Sequence, residues 1–178
     1  AVNAALALGK GGRNRVALVD ADLRRPGVAN VLGLRAQKGL CDVVAGRATI
    51  EDCLWRFGSD ELYVLPAGNT PDDLSDTLYN PRLGDLMASL KQRFDFVVVD
   101  TPPALNMADV PTLCHDLDGA IMVVRAGVTA KELVDSAIAA LYGVHVHGIV
   151  LNDVDPRVAS ALRLMPYGEA QKALPAKR

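Results

Sequence analysis

Two short apolar runs, each ending abruptly in a carboxylate, constrain this chain more than any other feature. Val16-Ala17-Leu18-Val19 stops at Asp20 and continues as Ala21-Asp22-Leu23-Arg24-Arg25-Pro26; Phe96-Val97-Val98-Val99 stops at Asp100 and continues as Thr101-Pro102-Pro103. A strand with no polar alternation has no face to give to water, so it belongs in the buried interior of a parallel sheet. Open α/β sheets bind ligands in the crevice beyond the carboxyl ends of such strands. Three acids placed there, Asp20, Asp22 and Asp100, suit Mg²⁺, which takes oxygen ligands and reaches nucleotide phosphates through water.

The rest of the chain alternates helix and strand around these two runs. Helices are expected at 1–8, Val28–Leu32, 39–44, 49–57 and 130–141, with an amphipathic one at 80–93 that turns Leu83, Leu86, Met87 and Leu90 to one side. Further strands are expected at 62–66, 119–125 and 144–152. Strands joined through helices require right-handed crossovers, so the fold class is α/β: a mostly parallel sheet with helices on both faces. The pattern weakens after Pro156, which divides the chain into a domain at 1–156 and a C-terminal tail at 157–178, where 158–165 could make one short helix.

Composition excludes several classes. The net charge of −2 gives no broad pull toward nucleic acid, so none is expected as a partner. Cys41, Cys53 and Cys114 lie far apart without C-x-x-C spacing, which suits buried thiols rather than a disulfide framework or a zinc site. There is no apolar run of about 18 residues long enough to span a bilayer. Residue 1 is Ala, and the first residues read as the middle of a helix with nothing capping its start, which suggests a fragment.

Each candidate residue also has a bland reading. Asp20 and Asp22 would point the same way on an extended strand. Two like charges that close cost energy unless a cation or donors lie between them. The D-x-D alone is equally compatible with two loop carboxylates, Asp22 capping a turn. The apolar run before it, the Arg-Arg-Pro after it and the second strand ending in Asp100 favour a functional site. Arg24 and Arg25 suit a phosphate or a neighbouring subunit, or they are simply solvated. Asp100 leaves its strand into Pro102-Pro103, which stiffens the loop behind the carboxylate. Gly9-Lys10-Gly11-Gly12 is not a phosphate loop. It follows a helix and precedes a strand, the reverse of the required order, and reads as a helix end and turn. His145 and His147, without a third ligand, read as sheet-edge residues, and His115 has no partner in sequence.

These segments carry a family resemblance. Residues 16–26 resemble the second Walker motif, A′, of the bacterial tyrosine kinases that control capsular and exopolysaccharide synthesis. Residues 97–103 resemble their Walker B motif. Gly39-Leu40-Cys41-Asp42-Val43, Leu62 through Gly68, Asp118-Gly119, Val123-Val124-Arg125 and Val150 through Asp155 follow in family order. The wider group is the deviant-Walker branch of P-loop ATPases, which includes partitioning and division-site ATPases; Arg-Arg-Pro after the D-x-D favours the kinase branch.

The resemblance implies a P-loop NTPase-like three-layer α/β/α fold, with ATP and Mg²⁺ as cofactors. It implies that Asp20 acts at the γ-phosphate, as Mg²⁺ partner or as base toward a tyrosine hydroxyl. Asp22 and Asp100 would hold Mg²⁺, Arg24 would touch phosphate, and Asn152 would lie near the adenine. It further implies autophosphorylation within a ring of subunits at the inner face of the cytoplasmic membrane. The partner there would be a transmembrane polysaccharide co-polymerase, fused or separate.

The chain departs from the family in three places. It contains no Walker A loop, so residues 1–156 read as a partial domain lacking the first strand and P-loop. Without that loop the 178 residues should be neither a competent kinase nor as stable as a complete domain. The tail holds Tyr167 rather than a tyrosine cluster. Asp73 through Leu78 replaces the family's Asn-Pro-Ser-Glu-Leu-Leu. Two other readings remain: a partitioning or MinD-like ATPase switch, and a degenerate module that only binds partners.

Overall fold

The computed structural model describes residues 1–58, 61–105 and 109–157. In chain order the elements are α1 (Val2–Gly9), β1 (Val16–Asp20), α2 (Val28–Leu32), α3 (Leu40–Val44), α4 (Ile50–Cys53), β2 (Trp55–Phe57), β3 (Leu62–Leu65), α5 (Ser75–Leu78), α6 (Pro81–Arg93), β4 (Phe96–Asp100), α7 (Asp109–Cys114), β5 (Ala120–Arg125), α8 (Lys131–Ala140) and β6 (Val146–Asn152). They fall into two compact units, one running to Asp118 and one starting at Gly119. The residues expected as a helix at 158–165, and Tyr167, lie outside the described residues.

In the first unit the strand order is β2-β3-β1-β4. β1 runs parallel to both β3 and β4, and only β2 is antiparallel. Every residue of β1 is buried, as an unalternating apolar run at the centre of a sheet requires. Its side chains alternate between two cores. Ala17 and Val19 pack with Leu40, Leu65, Leu83, Leu86, Met87 and Leu90 under α3 and α6. Val16 and Leu18 pack with Ala5, Val28 and Val64 under α1 and α2. Helices therefore cover both faces, and the apolar stripe of α6 is buried as its spacing predicts.

Two expectations change. The segment 49–57 is not one helix. Thr49 caps α4 by accepting from the Asp52 N–H, but Leu54 is already extended and Trp55-Arg56-Phe57 pairs with β3. The aromatic alternation of that tripeptide suits a strand edge better than a fourth helical turn. Among the described residues β4 pairs with β1 alone, while β5 and β6 pair with each other in the second unit. β4 is consequently an edge strand of its sheet. Its Val97, Val98 and Val99, expected to be fully buried, are half-buried, and Phe96 is exposed. α5 and α7 are short helices with no counterpart in the sequence reading.

Candidate active site at the carboxyl edge of the sheet

Parallel pairing without offset brings the two acidic strand ends together. Asp20 of β1 stands in register with Asp100 of β4, and the Ala21 N–H donates to the Asp100 carbonyl at 2.8 Å. Three separate segments thus converge on one edge: the end of β1, the turn after it, and the end of β4.

Asp20 is fully buried. Its Oδ2 accepts from the Gly27 and Val28 N–H groups at 3.1 and 3.0 Å, where the chain enters α2. Its Oδ1 is buried with no hydrogen-bond partner. Burial is the main cause that pushes the Asp20 carboxyl up to about 6; the Asp100 and Asp22 charges add to the rise and the two N–H bonds oppose it. Asp100 is raised as well, first by burial and then by the Asp22 charge beside it. Asp22 is half-buried and sits past the strand end, where its Oδ1 accepts from the Arg25 N–H at 3.1 Å. It therefore does cap a turn, and it also contributes negative charge to the pair beside it. Arg24 is exposed and lines a narrow crevice with Ala21, Leu23, Leu74, Leu78, Pro102 and Leu113.

The donor set suits a hard divalent cation. It offers carboxylate oxygens alone, one of them orphaned in the interior, and mutual repulsion that a cation would relieve. Among the described residues no three His, Cys, Asp or Glu side chains already converge as a metal cage. A carboxylate titrating near neutrality can also take a proton from a hydroxyl.

Asn152, the remaining predicted residue, belongs to the second unit. It ends β6 opposite Arg125, and its carbonyl accepts from the Ala126 N–H at 2.9 Å. Beyond it Asp153 has φ 60, and its carboxylate pairs with Arg125 at 2.8 Å. A shallow pocket there is lined by Ala126, Val128 and residues 153–157.

A second buried carboxylate went unnoticed as a working group in the sequence. Asp42 accepts from the N–H groups of Gly39 and Asn69, both at 3.1 Å, from the Asn69 amide at 3.4 Å and from Arg47 Nε at 3.1 Å. These donors hold its carboxyl below the usual range against the opposing effect of burial. The knot ties α3 to residues 66–69, the loop leaving β3 at the same edge as Asp20; the Leu40 and Cys41 N–H groups bond the Pro66 and Ala67 carbonyls. Most of its donors are backbone N–H groups, which leave no mark in a sequence.

Residues 9–12 are a helix end and turn, with Gly11 and Gly12 at positive φ. All three cysteines are free and buried. His145 and His147 are exposed and touch edge to face at 4.5 Å. Among the described residues no helix is long and apolar enough to cross a membrane.

The family profile described as an AAA domain matches residues 1–145. The chain belongs to that family. Among curated relatives of this AAA domain is the tyrosine-protein kinase Wzc of Salmonella typhi. It is 30% identical over 142 residues, which are 79% of this chain and 20% of the relative. The chain thus spans about a fifth of the length of that relative. Among solved structures, the kinase domain of VpsO superposes with a TM-score of 0.81 at 29% identity, over 86% of this chain and 76% of that one. The septum site-determining protein MinD of Pyrococcus horikoshii, crystallised with Mg-ADP, gives 0.67 at 26% identity over 98% and 70%. The likeness to bacterial tyrosine kinases read from the two acidic strand ends is borne out by these relatives, as is the P-loop NTPase-like fold class.

Proposed function

We propose that this AAA domain is the nucleotide-handling part of a bacterial protein-tyrosine autokinase that regulates capsular or exopolysaccharide synthesis and export. The observation that carries the reading is the buried Asp20 with one orphan oxygen, in register with Asp100 and beside Asp22, in a chain whose curated relatives include a tyrosine kinase. Asp22 and Asp100 would hold Mg²⁺, and Asp20 would serve at the γ-phosphate as a further metal partner or as the base for the tyrosine hydroxyl. Mg²⁺ bound there would neutralise phosphate charge. Arg24 would contact phosphate. Asn152 and the pocket beyond it would receive the adenine of ATP.

The chain contains no G-x-x-x-x-G-K-[ST] sequence. The backbone cradle and lysine that carry much of the charge stabilisation in phosphoryl transfer are therefore not among its residues. The 178 residues alone should not transfer phosphate. In the whole protein we propose a ring of subunits at the inner face of the cytoplasmic membrane, with a transmembrane polysaccharide co-polymerase as the fused or separate partner.

A MinD-like ATPase switch is the second reading, favoured by the fit to MinD over 98% of the chain. The full-length gene product incubated with labelled Mg-ATP separates the two. Label on tyrosine supports the kinase. Released phosphate with unlabelled protein supports the switch.

A further inference from the structure

We propose that Asp42 is a positioning residue for nucleotide binding: it fixes a strap, residues 66–78, whose leucines hold Arg24 at the phosphate edge. The inference rests on the reading above that Arg24 contacts phosphate. The strap leaves β3 where Leu65 stands in register with Val19, so Pro66 starts beside Asp20. α3 grips it at both ends. At the near end the Leu40 and Cys41 N–H groups donate to the Pro66 and Ala67 carbonyls at 2.8 and 3.0 Å. The Gly39 and Gly68 backbones lie against each other there, with no room for a Cβ on either. At the far end the Cys41 thiol and the Thr77 hydroxyl share a hydrogen bond, and Thr77 is buried in α5. Between these anchors Asn69, Thr70, Asp72 and Asp73 are exposed, so packing does little to hold the span.

Asp42 supplies the tie that packing does not. It is buried and collects donors from three segments: the Gly39 N–H, Arg47 Nε, and the N–H and side-chain amide of Asn69. A carboxylate has two acceptor oxygens with about four lone-pair sites, enough for all of them. Asparagine has the same shape but one acceptor oxygen, and its NH₂ group would turn a donor toward donors. The span held in this way ends in Leu74 and Leu78, which line one crevice with Leu23, Arg24 and Pro102. An arginine stem packs along apolar walls of this kind while its head reaches a phosphate. Arg24 lies two residues past Asp22 at the carboxyl edge of the sheet. Asp42 therefore acts on the nucleotide through the strap and Arg24, without touching it.

The test is ADP formation by the full-length gene product at varied ATP and saturating Mg²⁺. A contact made equally in the ground and transition states shows in KM and not in kcat. Arg24→Ala should raise the KM for ATP about tenfold, as losing a charge-assisted hydrogen bond does. Asp42→Asn should raise it about fivefold with kcat little changed. Thr77→Val, which frees the far anchor of the strap, should act in the same direction. The double variant Asp42→Asn/Arg24→Ala should have the KM of Arg24→Ala alone, since the two residues act in series. A lower melting temperature with an unchanged KM in both Asp42→Asn and Thr77→Val overturns the inference, and so do effects that multiply in the double variant. Either result beside a raised KM in Arg24→Ala leaves the nucleotide reading in place. A wild-type KM in Arg24→Ala, or no ADP from wild type, overturns both.

Discussion

Replacing Asp20 with Asn should stabilise the protein at neutral pH, although it alters a residue at the centre of the site. The Asp20 carboxyl is raised from an ordinary 3.8 to about 6, chiefly by burial. Between those two values the native state holds a proton that the unfolded chain has released, so stability falls as pH rises through the window. A shift of about two units at about 1.4 kcal/mol each makes the ionised carboxylate cost about 3 kcal/mol above pH 7. Asparagine keeps an oxygen for the Gly27 and Val28 N–H groups and removes the charge. Its amide nitrogen replaces the oxygen that has no partner, and an unmet buried donor costs about 1 kcal/mol or more. The net expectation is a gain of about 2 kcal/mol at pH 8 that falls with pH and turns into a deficit of about 1 kcal/mol near pH 4. Urea unfolding of both proteins across that range, with EDTA present, measures it. A variant less stable than wild type at pH 8, or a difference that does not change with pH, would refute the argument. Adding Mg²⁺ should stabilise wild type and leave Asp100→Ala almost unaffected.

Other predictions concern the Asp42 knot. Asp42→Ala strands the buried Gly39 and Asn69 N–H groups and should cost about 3 kcal/mol in denaturant unfolding. Because its carboxyl is held below the ordinary value, its contribution is present at neutral pH and is lost as pH falls through the depressed value. The Asp42→Ala deficit should therefore shrink in acid. Gly39→Ala would drive a methyl group into the Pro66 carbonyl oxygen, a backbone atom that cannot swing away. It should lower the melting temperature at least as much as Gly68→Ala, where φ is +77 and the added carbon meets the Gly39 backbone nitrogen.

The sheet of the first unit was legible because its central strands are pure apolar runs. β1 can be placed from Val16-Ala17-Leu18-Val19 alone, and the stripe of α6 follows from four residues at helical spacing. Less was legible where a short segment admits two periods. Trp55-Arg56-Phe57 continues an apparent helix yet alternates like a strand, and only its pairing with β3 decides between them. The division into two sheets was hidden for a similar reason. Apolar runs announce strands but not their neighbours, and the same composition serves β1 at 0% exposure and β5 with Ile121 at 63%. In the site, the sequence marked Asp20, Asp22 and Asp100 but not the register that pairs two of them, a contact across 80 residues. Nor did it mark the Asp42 knot, built largely from backbone donors.

The central claim is that Asp100 and its neighbours hold the metal for tyrosine phosphorylation. The most direct measurement is phosphotyrosine formed by the full-length gene product and by its Asp100→Ala variant as Mg²⁺ is titrated at saturating ATP. A Mg²⁺-dependent signal is expected in wild type and none in the variant at any Mg²⁺ concentration. Equal signals in the two proteins would contradict it.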